Sequence, residues 1–497
     1  MDADSQRQQW LETYIAYHRN VALIGLDEPL GERREVRLVE AIEQGADLYS
    51  EPALADLQHL IDEMPEAQRA PWQRLRAWGL MMSLRTAMLP HRRALQAQQR
   101  SLICRVDDEL ISVVSSFSHM ASETRRDRRA AIEAAATAQL ATLDELFDTQ
   151  VSVVRDAASR LGYESLDHLW SDILGVDLEA LQDVAMTLLE ETDVAYTELL
   201  AWASNRRLRL TPAELHRHDM LTLFTFPDYQ KHYQPGFIEP ALQACLQDME
   251  IDPRADGRLQ WRERVATFGP PEALAVAMPH EIVLSYCPSS GLQNAHALAG
   301  ACGQALLWAY TSEEVPHPLR LWGHGTISTG NAQLFTDLIA NPFWLRYHGR
   351  LSVDTDYMSW LRLDRLYRFR RQLGRFLFTR HLNTSESLGD ALPEAYRDIM
   401  MEACHIDYAP AYYLIDWDWQ YASLAFWQGW AVAYALLDTL DKDFGQDWFR
   451  NPETGQWLCQ YWSDALAHHV DGLLQQILGT PWEADLLAAA LCDERMG

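Results

Sequence analysis

Basic residues are scarce in this 497-residue chain: 42 Lys and Arg stand against 71 Asp and Glu, a formal net charge of −29 at pH 7. A field of that sign repels phosphate backbones and anionic lipid, so nucleic acid and membrane surfaces are poor expected partners. A peptide, a small molecule or a partner protein fits better. Cysteine is scarce too. The seven present, Cys104, Cys245, Cys287, Cys302, Cys404, Cys459 and Cys492, are odd in number and include no C-x-x-C pair. That argues against a disulfide framework or a zinc ribbon and fits a reducing cytosol. The opening stretch MDADSQRQQWLETYIAYHRN lacks the apolar core of a signal peptide, and a cytoplasmic location is expected. Long apolar runs with Lys/Arg flanks are also missing. The uncharged stretches 282–312 and 419–437 are broken by polar residues such as Gln293, Asn294, Gln420 and Gln428, and buried helices explain them better than bilayer spans. No G-x-S-x-G, P-loop or G-x-G-x-x-G pattern points to hydrolase, NTPase or dinucleotide chemistry.

What is present is helical periodicity. DRRAAIEAAATAQLATLDELFDTQVSVVRDAASRL repeats apolar residues at three- and four-residue steps, and the next segment continues as helices punctuated by Gly175. The N-terminal third reads as entirely helical. Strand-like runs stand only in the middle, from Leu259, Ala273 and Glu281, bounded by Pro270, Pro271, Pro279 and Pro288. The expected fold is mainly α, a large helical body with one small sheet at 259–288 just before a helix at 292–310. A boundary around 205–215 separates an N-terminal helical region, 1–205, from the remainder, 206–497.

The order of parts in that remainder carries a resemblance. The strand EIVLSY is followed by the turn CPSSG and the helix LQNAHALAGACGQALLWAYT, and a second helix opens with ISTGNAQLFTDLIANPFWL. This order resembles the M3 family of zinc metallopeptidases, the oligopeptidase and oligoendopeptidase class. Further similar segments are MPHEIVLSYCP, DKDFGQDWFRNPETGQWL and YWSDALAHHVDGLLQQILG, and the likeness covers most of the chain from about residue 100. The resemblance implies a deep central cleft, with the small sheet beside the metal-site helix.

In that family, His-Glu-x-x-His on the helix supplies two zinc ligands and a general base, and a glutamate on the next long helix supplies the third ligand. The matching positions here are Gly300 and Gln304 for the histidines, Ala301 for the base and Thr329 for the glutamate. Gly and Ala have no donor, and a neutral amide and hydroxyl do not replace imidazole and carboxylate. No metal and no other cofactor is expected. Family members also stabilise an oxyanion with late tyrosines and a histidine. The corresponding stretch, CHIDYAPAYYLIDWDWQYASLAFWQGWAVAY, offers His405, Tyr408, Tyr412, Tyr413 and Tyr421. Alignment on Trp430 places Ala422 and Phe426 at tyrosine positions and Gln428 at an arginine position.

Three readings follow. The first is a catalytically degenerate homologue, a pseudopeptidase, that binds a peptide, small molecule or partner in the inherited cleft without zinc hydrolysis. The second is an enzyme repurposed for metal-free chemistry, with His296, His324, Tyr412, Tyr413 and Tyr421 as candidate acid–base groups. The third is a peptidase with a relocated metal, for which His296 and His324 are the candidate pair. His405, Tyr408 and Trp308 are candidate cleft-lining residues. The void left by the lost groups is either plugged by Trp308, Trp322, Phe343 and Trp344 or kept as a pocket. Cys302 lies off the Gly300/Gln304 face and reads as core. His280 with Glu281, the segment from His216 to Asp219, and the pair His468 and His469 read as solvated or satisfied groups.

Overall fold

The computed structural model describes residues 3–28, 31–224, 232–254, 256–264, 269–322, 325–352, 354–385 and 391–493. It is mostly helical, with few strands. The elements used below are α1 (Ala3–Asp27), α2 (Glu32–Glu43), α3 (Glu66–Ser101), β1 (Ile103–Val106), β2 (Glu109–Ser112), α4 (Arg126–Leu140), α5 (Asp144–Arg160) and α6 (Leu166–Leu174). They continue with β3 (Leu259–Glu263), β4 (Glu272–Ala277), β5 (Glu281–Tyr286), α7 (Leu292–Tyr310), α8 (His317–Trp322), α9 (Gly325–Leu338), α10 (Thr355–Thr384) and α11 (Ala422–Phe444).

Local chemistry explains several boundaries. Ser165 caps α6 by accepting from the His168 amide, and Gly175 ends it in the left-handed conformation. The three expected middle strands form one sheet in the order β3-β5-β4, with β5 parallel to β3 and antiparallel to β4. Leu259 is in register with Ile282, and Ala273 with Leu284. The centre strand β5 is covered on both faces, which is why EIVLSY reads as a continuous apolar run without alternation. Helix α7 occupies Leu292–Tyr310, the expected span. It packs on β4 and β5 on one side and on α9 on the other, so it is buried nearly all round and carries no charge.

The N-terminal third is not wholly helical. β1 and β2 form an antiparallel hairpin, with Cys104 opposite Ile111. Asp107 at its turn takes φ 54°, a left-handed conformation that Asp tolerates better than most residues. Cys104, Val106 and Ile111 point inward onto Ile132 and Ala136 of α4, making a small separate core. The main hydrophobic core takes residues from both sides of 205–215, including Trp10, Trp78 and Trp170 before it and Leu306, Trp427 and Leu491 after it. No helix among the described residues is long and apolar enough to cross a membrane.

Candidate functional site

Helices α7, α9 and α11 lie against one another in that order. Side chains are missing where their backbones meet. A Cβ on Gly303 would overlap the Asn331 carbonyl oxygen, and one on Gly330 would stand 2.6 Å from Val432 Cβ and 3.0 Å from the Gly429 carbonyl oxygen. Gly303 lowers helix propensity by about 1 kcal/mol relative to Ala, and close packing on α9 accounts for it. Gly300 is different: its added Cβ would lie 3.0 Å from Thr336 Oγ1, a side-chain contact at the edge of open space.

Two cavities open on this three-helix floor. The first, about 720 Å³, is lined by His296, Gly300, Ala301 and Gln304 of α7, Thr329 and Thr336 of α9, Asp364 and Arg368 of α10, Phe426 of α11, and Arg34 and Glu272. The second, about 400 Å³, is lined by Arg74 and Arg85 of α3, Trp170, Gln304, Trp308, Arg320, Trp322, Thr329, Tyr421, Ala422 and Gln428, among others. Gln304 and Thr329 line both and stand at the junction. All four positions that the family resemblance assigns to metal chemistry, Gly300, Ala301, Gln304 and Thr329, therefore face one open cavity. Of the aromatic side chains available to fill it, Trp308 and Trp322 wall the second cavity. Trp344 is fully buried, its ring tilted against that of His348, while Phe343 is exposed.

Charges in the first cavity are paired. Arg34 Nη1 meets Glu272 Oε2 at 2.8 Å, and Arg368 Nη2 meets Asp364 Oδ2 at 2.7 Å. Beside them Arg365 Nη2 stands 3.2 Å from Asp337 Oδ1. Burial still holds the Asp337 carboxyl above its usual range, against the pull of Arg365 and Arg368. His296 is buried, and its Nε2 has no hydrogen-bond partner among the described residues. Burial, reinforced by Arg368 and Arg365, lowers its pKa to about 3, so the ring is neutral at pH 7. The second cavity is built otherwise. Arg74 donates from Nε to the Trp322 carbonyl at 2.9 Å and from Nη1 to the Ile173 carbonyl at 3.2 Å, with its guanidinium 4.4 Å from the Trp322 ring centroid. Arg320 donates from Nη1 to the Met278 carbonyl at 3.1 Å.

The other predicted site residues divide. Tyr421 reaches the second cavity; its hydroxyl donates to Asp167 Oδ1 at 2.7 Å and accepts from Asn383 Nδ2 at 3.1 Å. Burial and then Asp167 raise its pKa well above the ordinary phenol value. Tyr412 and Tyr413 face away, toward the N-terminal helices. Tyr412 donates to Glu133 Oε1 of α4 at 3.0 Å, and Tyr413 to Asp144 Oδ1 at the start of α5 at 2.8 Å. His405 Nε2 is 2.6 Å from Asp193 Oδ1, and the Tyr408 hydroxyl is 2.8 Å from that of Tyr367, so neither lines the two cavities. His324 lies outside the described residues. Cys302 is fully buried, and burial pushes its thiol pKa up. His218 Nδ1 lies 2.6 Å from Glu133 Oε2, His280 pairs with Glu313, and His469 Nε2 is 3.0 Å from the Gly175 carbonyl oxygen. Arginines 74, 85 and 320 had no marker in the sequence, because each is brought to the cavity by an element outside the resembling motif.

The donor set at the junction does not fit zinc. Gly300 and Ala301 offer no donor, Gln304 and Thr329 offer neutral oxygens, and the space beside Gly300 is taken by Thr336 Oγ1. Among the described residues no group of three or more His, Cys, Asp or Glu is placed to hold a metal ion. Compared with known proteins, the chain matches no protein-family model and no curated protein.

Proposed function

We propose that the chain is an M3-type peptidase homologue that has lost zinc hydrolysis and binds a peptide or other extended ligand in a cleft made of the two cavities. One observation carries this reading. The four positions that would hold two ligands, the base and the third ligand line a single open cavity, and none brings a side chain suited to its former role. Binding is favoured over a new metal-free reaction by the state of the two candidate acid–base groups that reach the cavities among the described residues. His296 is held neutral with a pKa of about 3, and the Tyr421 hydroxyl donates to a carboxylate, so neither is poised to exchange a proton near pH 7.

The test is metal content by plasma mass spectrometry on tag-free protein purified without chelator and dialysed, together with a peptide-hydrolysis assay with and without added zinc. The expected result is less than about a tenth of an equivalent of zinc, manganese or iron and no zinc-dependent cleavage. Near-stoichiometric metal that is lost in His296→Ala or Gln304→Ala, with cleavage lost alongside it, would overturn the reading.

A further inference from the structure

Gln333 of α9 is 5% exposed, and its side-chain amide has no hydrogen-bond partner among the described residues. It lines the first cavity, so the amide takes its hydrogen bonds from whatever fills that space. Gln304 and Thr329, at the junction, likewise make no side-chain hydrogen bond to the described residues. Their neighbours are satisfied: Thr336 Oγ1 donates to the Ala332 carbonyl at 2.9 Å, and Arg34 and Arg368 have Glu272 and Asp364. What this wall leaves open is therefore neutral. Helices α7 and α9 run antiparallel here, with Thr336 beside the His296 carbonyl and Gly303 against that of Asn331. Gln304 and Thr329 thus stand at one end of the wall, and Gln333 follows one turn along α9 toward His296. The short side chains of Ala297, Ala301 and Ala332 and the bare Gly300 leave room for a second backbone to approach.

We propose that this wall reads the backbone of an extended, uncharged peptide: Gln333 donates from Nε2 to the carbonyl of one ligand residue and accepts at Oε1 from its N–H, and Gln304 does the same two residues along. This rests on the peptide-binding reading above. A primary amide carries a donor and an acceptor side by side, the pair that a peptide backbone offers. The spacing agrees. One helical turn from Thr329 to Gln333 rises about 6 Å, and alternate residues of an extended chain repeat at about 6.6 Å. Recognition of this kind is tolerant of sequence. Charged ligand side chains gain nothing from ion pairs that are already made, and Phe426 offers an apolar contact to one ligand side chain.

The experiment is isothermal titration of the full chain and of Gln333→Met with acetyl-Ala-Ala-Phe-Ala-Ala-amide and with its analogues N-methylated at one residue each. Circular dichroism first shows that the variant is folded; Gln304→Met, with the same expectations, takes its place if it is not. At least one N-methyl analogue is expected to bind the parent protein about tenfold more weakly than the unmodified peptide. Gln333→Met should weaken the unmodified peptide by a similar factor and bind that analogue no more weakly than the unmodified peptide, because the lost N–H and the lost amide are partners. Binding of the unmodified peptide that Gln333→Met leaves intact, or losses from N-methylation and Gln333→Met that simply add, would overturn the backbone reader while leaving the peptide-binding reading standing. A raised Tm in Gln333→Met with unchanged affinity would assign the amide to water alone and overturn it too. No binding of the unmodified peptide, or its zinc-dependent cleavage, would strike at the underlying reading and take this inference with it.

Discussion

In the first cavity Arg34 has Glu272 and Arg368 has Asp364, each within 2.8 Å; in the second, Arg74 and Arg320 are held by the carbonyls of Trp322, Ile173 and Met278. The two spaces share Gln304 and Thr329 and belong to one floor, yet the contacts on their walls differ in kind. A wall whose cations already have carboxylates gains little by admitting another ion and suits neutral backbone. The second wall holds its arginines through backbone carbonyls and the face of Trp322. Overall charge gives no hint of this, because the field of 71 acidic residues is an average and a cavity responds to its own lining.

The comparison can be broken most forcefully at the shared floor. Gly303→Val would drive a branched side chain into the Asn331 carbonyl, and a loss of about 3 kcal/mol or more is expected by denaturant unfolding. An unchanged midpoint would mean that α7 and α9 are free to separate. Next in size is Arg74→Ala, which frees two backbone carbonyls and the stack on Trp322 and should cost about 2–3 kcal/mol. Arg34→Ala in the first cavity removes a partly exposed pair and should cost about 1 kcal/mol or less, so equal losses would erase the difference between the walls.

A pH series sharpens the contrast further. His296 has a folded pKa of about 3, below the ordinary value of 6.5, so the unfolded chain takes up its proton first on acidification. The group therefore contributes a loss of stability as pH falls from 6.5 toward 3, about 1.4 kcal/mol per pH unit across that window, and contributes no slope above it. Asp337 has a raised folded pKa and works in the other sense, lowering stability as pH rises above the ordinary carboxylate range. His296→Phe should therefore flatten the acid limb relative to the parent, read as the difference in unfolding free energy between pH 4 and pH 6 (about two units inside the window). Parallel curves would show that the imidazole is charged or solvated. The smallest effect is expected from Asp364→Asn, which removes an i,i+4 pair and should cost about 0.5 kcal/mol in a thermal melt.

The fold was legible where the signal is local. The uncharged run at Leu292–Tyr310 announces a helix buried on all sides, and the short apolar run at Glu272–Ala277 with the β-branched run at Glu281–Tyr286 announces a sheet. The hairpin at Ile103–Ser112 escaped because its strands are four residues each and stand between long helices, and because half of the positions in ICRV are exposed. Facing residues were legible by helical spacing: Gly300, Ala301 and Gln304 do share a cavity with Thr329. Tyr412 and Tyr413 were not legible, because what holds them is Glu133 and Asp144, some 270 residues earlier in the chain. The same distance hides the arginines. Arg74 and Arg85 reach the second cavity from a helix that ends near residue 101, and nothing in their own neighbourhood distinguishes them from surface cations.

The glycines at 303, 330 and 429 have a mechanical consequence. Side chains between helices act as bearings: they change rotamer and let one rod slide or tilt against another. Where backbone rests directly on backbone there is nothing to re-seat, and α7, α9 and α11 form a single plate. Opening motions that admit or release a guest are then expected on the opposite wall of the second cavity, where α3 and α8 contribute long side chains such as Arg85, Arg320 and Trp322. A guest then meets a floor that does not yield, and the amides of the plate should be among the slowest in the molecule to exchange with deuterium.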